Sequence, residues 1–151
     1  MAVLAGAIEQ ARKDGRVLIV TVGATWCPWC AALQRLMPTA EFFERKGDVL
    51  DYRQTFNHVE IGVSTTHKGK NALIPSGQAV EENLMARAGG GKLTSIPFIF
   101  MIDPAAPDRV YARHTRDLSN SATGEHDMAG FRKVILEGHA YLKGPRKAEA
   151  R

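Results

Sequence analysis

The segment Trp26-Cys27-Pro28-Trp29-Cys30 constrains this chain more than any other. It holds the only two cysteines, three positions apart and set among tryptophans. An unbroken apolar run, Val17-Leu18-Ile19-Val20-Thr21-Val22-Gly23, precedes it, and Ala31-Ala32-Leu33-Gln34-Arg35-Leu36-Met37 follows with the pattern of a helix. A strand that delivers C-x-x-C to the start of a helix suits thiol–disulfide exchange. The first turn of a helix carries unpaired N–H groups and partial positive charge, and both favour a thiolate over a thiol. The second cysteine lies within one turn of the first, close enough to pair with it. Two plainer readings compete. A closed zinc site needs four ligands, and the five histidines (His58, His67, His114, His126 and His139) are scattered with no further cysteine to join them. A purely structural bridge over so short a loop would restrain the unfolded chain very little.

The 151 residues suffice for one domain with a proper core. Charge argues against a nucleic-acid partner. The net +4 is concentrated in the tail from Lys143 to Arg151, which holds four basic residues against Glu149, so the remainder carries sixteen basic and fifteen acidic residues. A nucleic-acid footprint calls for a basic face on the folded body. No apolar run is long enough to span a bilayer, so no membrane partner is expected. The start, Met1-Ala2-Val3-Leu4-Ala5-Gly6-Ala7-Ile8, lacks a basic n-region and runs straight into a helical pattern. Two locations follow: cytoplasmic if Met1 is the native start, periplasmic or otherwise exported if a leader has been removed.

Helical spacing of Val3, Leu4, Ala7, Ile8 and Ala11 predicts a first helix that Gly15 ends. The run 17–23 lacks polar alternation, as a central strand covered on both faces should. The helix from Cys27 meets Pro38, which should kink or interrupt it, and Phe42 and Phe43 add apolar surface. A second strand is predicted at 58–63, and 64–95 is the least regular stretch. Within it Val80, Leu84 and Ala88 form a helical stripe stopped by Gly89-Gly90-Gly91. Strands at 96–102 and 109–113 should pair as a hairpin around Asp103-Pro104, and 114–125 reads as polar loop. A last helix carries Met128, Phe131, Val134, Ile135, Tyr141 and Leu142 on one side, with Asp127 as N-cap. This order predicts an α/β fold: a mixed central sheet of about four strands flanked by helices on both faces. One domain over 1–143, with a longer segment at 64–95, and a solvated basic tail over 144–151 complete the organisation.

Two separated motifs in this order of elements resemble the thioredoxin superfamily: Trp26-Cys27-Pro28-Trp29-Cys30, and Ser95-Ile96-Pro97 directly before Phe98-Ile99-Phe100-Met101. The resemblance runs from the first strand to the last helix and is strongest to thioredoxin-like proteins of bacteria, often exported. It implies a thioredoxin-like fold in which Cys27 is the exposed nucleophile and Cys30 the buried resolving thiol. It also implies that Pro97 is a cis-proline lying against the cysteine pair, and that the Ile96 backbone docks an extended substrate segment by strand-like hydrogen bonds. Trp26, Pro28 and Trp29 would border that substrate site.

The departures from the family pattern bear on mechanism. Thioredoxins usually carry a buried acid six residues before the nucleophile, where this chain has Thr21. Glu60 stands near the place of their buried lysine, which makes it the candidate proton acceptor for Cys30, unless it faces solvent. Pro28-Trp29 replaces Gly-Pro and is similar to glutaredoxins, whose pairs are more oxidising, so a potential above roughly −270 mV is expected.

The expected function is therefore a thiol–disulfide oxidoreductase that exchanges disulfides with protein substrates and with a separate redox partner. It would act as a monomer, with no organic cofactor and no metal. Two alternatives stand beside it: a glutathione-dependent, glutaredoxin-like reductase, although no glutathione-binding residues are identifiable, and a redox-inactive peptide-binding module. Retention of both cysteines and Pro97 argues against the module.

Overall fold

The computed structural model describes residues 1–37, 52–93, 95–120 and 122–144. Its centre is β1 (Val17–Ala24), where residues 17–22 are all buried. β1 pairs in parallel with β2 (Phe56–His67) and antiparallel with β4 (Phe98–Ile102). The edges are β3 (Lys70–Leu73) and β5 (Val110–His114), giving the order β3-β2-β1-β4-β5. The sheet thus has five strands rather than four. The extra one, β3, turns back from β2 through Lys68 and Gly69, both at positive φ. A two-residue turn of that kind matches the twist of its strands, but Lys in place of Asn or Asp hides the usual signal.

Both faces of β1 are covered, which explains its lack of polar alternation. Leu18, Val20 and Val22 pack with Phe98, Phe100 and Ile102 beneath Leu4, Ile8 and Ala11 of α1 (Ala2–Asp14) and Val80 and Leu84 of α4 (Pro75–Arg87). On the opposite face Val17 and Ile19 join Ile99 and Met101. Over them lie Leu33 of α2 (Pro28–Leu36) and Phe131, Val134 and Ile135 of α5 (Met128–Lys143). Burying each such side chain is worth about 1.5–3 kcal/mol. Gly77 brings α4 against the backbone of β2, since a Cβ there would strike the Gly62 carbonyl.

Caps follow the sequence. Gly15, in the left-handed region at φ 69°, closes α1, and the Asp127 carboxylate accepts from the Ala129 N–H at the start of α5. Two residues assigned to helical stripes point outward instead: Val3 is 62% exposed and Tyr141 46%. The Arg109 guanidinium lies over the Tyr141 ring, 4.3 Å from its centroid. A short α3 (Tyr52–Thr55) leads into β2, which is longer at both ends than the expected 58–63. Pro38, Phe42 and Phe43 lie outside the described residues, as does the basic tail beyond Gly144.

The stretch read as polar loop is structured. A 3-10 turn (Arg116–Leu118) leads to a small antiparallel ribbon, β6 (Ser119–Asn120) with β7 (Glu125–His126). Thr115, Leu118 and His126 of this stretch are buried.

Candidate active site

The cysteine pair sits where β1 hands over to α2. Cys27 is the N-cap of α2, in extended conformation, and Pro28 occupies the first helical turn, where its missing N–H costs nothing. Cys27 and Cys30 are joined by a disulfide, with Cα atoms 5.2 Å apart. The Cys30 backbone N–H donates to Cys27 Sγ at 3.2 Å. A sulfur thus holds the place that a Ser or Asp oxygen takes in an ordinary N-cap, and a thiolate there would accept a charge-assisted bond.

The Ile96–Pro97 peptide bond is cis, and the Ile96 carbonyl oxygen lies 3.9 Å from Cys27 Sγ. Pro97 is anchored from β5's end: the buried Thr115 hydroxyl donates to the Pro97 carbonyl at 2.8 Å. Trp26 is held on the other side by its indole N–H, which donates to Ser64 Oγ at 2.9 Å, and Ser64 donates on to the Ala72 carbonyl in β3. Trp26 remains 43% exposed, Pro28 is exposed and Trp29 and Ile96 are half-buried.

Cys27 and Cys30 do not differ in exposure. Cys27 is 6% accessible and Cys30 5%, so the expected contrast between an exposed and a buried cysteine is absent in the disulfide form. The bond ties the two sulfurs together, and Cys27 Sγ faces the Ile96 carbonyl rather than open solvent. What distinguishes them is their place in α2: only Cys27 caps the helix.

Behind Cys30 lies a cavity of about 220 Å³, lined by Thr21, Gly23, Cys30, Glu60 and Pro97 among others. Gly23 lies close against the disulfide, since a Cβ there would lie 2.9 Å from Cys30 Sγ. Thr21 and Glu60 are register partners on β1 and β2. Glu60 is not buried: it is exposed and accepts from Gln34 Nε2 at 2.9 Å. Thr21 is buried and its hydroxyl lies 2.7 Å from His58 Nε2. His58 is an exposed residue, yet desolvation by the surrounding protein lowers its pKa to about 4, so it is neutral near pH 7. Among the described residues no three of His, Cys, Asp and Glu gather as a metal site requires.

His126 reaches the site from the ribbon. Its Nε2 lies 2.9 Å from the Trp29 carbonyl, and its ring meets the Trp29 indole edge-on with centroids 5.4 Å apart. Thr115, Ser64, His58, Gly23 and His126 were not among the residues that sequence motifs single out. Only Gly23, a lone glycine at the end of a strand, carries a recognisable sign of close approach.

No model of a known protein family matches this chain, and no curated protein matches it. A solved structure described as a disulphide isomerase from Xylella fastidiosa superimposes with a TM-score of 0.53, at 16% identity, over 89% of this chain and 89% of that chain. Another, described as a DsbH oxidoreductase, superimposes with a TM-score of 0.44, at 16% identity, over 87% of this chain and 81% of that chain. With its mixed five-stranded sheet, helices on both faces and a Cys-x-x-Cys disulfide at the mouth of a helix, this chain has the thioredoxin-like fold.

Proposed function

We propose that this protein is a thiol–disulfide oxidoreductase that exchanges disulfides with protein substrates through Cys27 and Cys30. The observation that carries the reading is the capped sulfur: Cys27 Sγ at the N-terminus of α2, 3.2 Å from the Cys30 N–H. In the reducing direction the Cys27 thiolate attacks a substrate disulfide, forming a mixed disulfide and releasing one substrate thiolate. Cys30 then loses its proton and attacks Cys27 Sγ; the second substrate sulfur leaves and takes up a proton. The oxidising direction is the reverse sequence. An extended substrate segment would lie along Ile96 and Pro97, with Trp26, Pro28 and Trp29 as its apolar border.

Glu60 is proposed as the acceptor of the Cys30 proton. Its support is the shared cavity, which gives Cys30 a route towards the exposed carboxylate.

Reduction of insulin by dithiothreitol, with and without the protein, tests the main reading, alongside oxidation of a reduced unfolded protein. The wild type should accelerate at least one of them, and Cys27→Ser should abolish the effect. Cys30→Ser should accumulate a mixed disulfide with substrate. A wild type inert in both directions would refute the proposal and favour the binding module. Turnover that appears only with glutathione would favour the glutaredoxin-like alternative.

A further inference from the structure

The contact between His126 and Trp29 does more than hold the ribbon onto α2. A carbonyl oxygen only accepts, so the 2.9 Å contact to Trp29 O puts a hydrogen on His126 Nε2, which donates it. Nδ1 is buried and without a partner. The side chain is 5% exposed and gives its Nε2–H to this carbonyl. That carbonyl belongs to the Trp29–Cys30 peptide unit, whose N–H end is the Cys30 N–H that donates to Cys27 Sγ at 3.2 Å. The peptide is planar and stiff, so a grip on its oxygen also aims its N–H. A hydrogen bond accepted by the carbonyl further polarises the amide and strengthens the N–H as a donor.

Resting on the thiol–disulfide reading above, we propose that His126 is a positioning residue for the exchange. Through the chain His126 Nε2–H to Trp29 O, and Cys30 N–H to Cys27 Sγ, it stabilises the sulfur of Cys27 as a thiolate. The ribbon is braced for this. The Asp127 N–H donates to the Leu118 carbonyl at its base, and Arg35 of α2 pairs with Glu125 at 2.8 Å beside it.

The sign of the effect follows from the charge. The Cys30 N–H meets a neutral disulfide sulfur in the oxidised protein and an anionic sulfur in the reduced one, and the charge-assisted bond is about twice as strong. The histidine therefore favours the reduced form. In the balanced exchange, one protein disulfide and two glutathione thiols give the protein dithiol and one glutathione disulfide. Removing the His126 N–H should shift this equilibrium towards the protein disulfide.

His126→Phe keeps an aromatic ring against Trp29 and loses the donor; His126→Gln keeps a donor. Equilibration with glutathione should show His126→Phe favouring the disulfide about three- to tenfold over wild type, a potential roughly 15–30 mV lower. Its Cys27 thiolate, followed by ultraviolet absorbance against pH, should titrate about 0.5–1 unit higher, the same factor read as a pKa. His126→Gln should recover most of both effects. A merely structural histidine would lower the melting temperature in His126→Phe while leaving potential and thiolate titration at wild-type values, and that result would overturn the proposal. Nitrogen-15 NMR of the imidazole in the wild type is independent of any variant's folding: hydrogen on Nε2 supports the chain, and an Nε2 without hydrogen overturns it. Failure of the functional reading looks different, since an enzyme inert towards insulin and reduced protein would still show the dependence of Cys27 titration on His126.

Discussion

Gly23→Ala tests how tightly β1 is fitted to the disulfide. The added methyl would lie 2.9 Å from Cys30 Sγ and 3.2 Å from Cys30 Cβ. Comfortable carbon contacts begin at about 3.5 Å, so the overlap is roughly half an ångström. Neither wall yields easily. Gly23 is held in register opposite Gly62, and Cys30 is fixed in the first turn of α2 and bonded to Cys27. Overpacking of this kind costs about 1–3 kcal/mol. In a chain of this length 1 kcal/mol moves the melting temperature by about 2–4 °C, so the oxidised variant should melt some 2–12 °C lower. Reduction frees Cys30 Sγ to turn away, so the reduced variant should lose less. If the two states differ by about 1 kcal/mol, the potential rises by roughly 20 mV. Gly62→Ala is the control, because its methyl meets only the end of the Ile74 side chain, at 3.3 Å. Thermal melts of oxidised and reduced protein, followed by circular dichroism, give the numbers. An oxidised Gly23→Ala protein melting within about 1 °C of wild type would refute the close fit, on the same scale.

Other substitutions probe the surrounding groups. Thr115→Val removes the buried donor to the Pro97 carbonyl and should cost about 1–3 kcal/mol in urea unfolding, with Thr115→Ser close to wild type; equal stability of the valine variant would remove the anchor. His58 should make stability pH-dependent. Its pKa falls from 6.5 to about 4 on folding, so the unfolded chain takes up the proton first. Its contribution is complete above pH 6.5 and is lost as pH falls towards 4, and His58→Gln should flatten that part of the profile; parallel profiles would contradict it. Glu60→Gln should slow resolution of the mixed disulfide in stopped-flow traces while leaving the first attack by Cys27 nearly unchanged, and an unaltered second phase would remove Glu60 from the proton route. Alkylation of the reduced protein near neutral pH should modify Cys27 before Cys30, because only Cys27 caps α2. Preferential labelling of Cys30 would reverse their roles.

The elements legible in the sequence were those whose signal is local. β1 is an unbroken apolar run because both of its faces are covered, and α1 declares itself through Leu4, Ile8, Ala11 and the left-handed Gly15. The start of α2 is written in Cys27 and Pro28, and the 98–102 and 110–114 hairpin in its apolar residues around Asp103-Pro104. β3 was not legible. Three of its four residues are exposed and its turn uses Lys68, so neither alternation nor turn chemistry marks it. The 3-10 turn and ribbon were hidden for a related reason. Each ribbon strand is two residues long, too short for any periodicity, and the order of the stretch comes from Leu118 and His126 packing against distant elements.

The site divides along the same line, and the division has a physical basis. In the proposed exchange Cys27, Cys30 and Pro97 do chemistry or border it, so their residue types are restricted and their spacing stands out. The groups that hold them act mostly through backbone atoms: Thr115 on the Pro97 carbonyl, His126 on the Trp29 carbonyl, and the Cys30 N–H on Cys27 Sγ. A carbonyl is the same at every position, so its recognition leaves no mark on the residue that owns it. The mark falls on the donor, 18 positions away for Thr115 and 97 for His126. At those separations no motif links the two ends. Glu60 shows the converse. Its register opposite Thr21 puts it beside the cavity, but register places a residue along a strand and says little about where a long side chain ends. The carboxylate turns to Gln34 and solvent instead of lying beneath the disulfide. Glu60 and Thr21, the latter 2.7 Å from His58 Nε2, both line the cavity behind Cys30, so a proton leaving Cys30 would cross that cavity to reach the carboxylate.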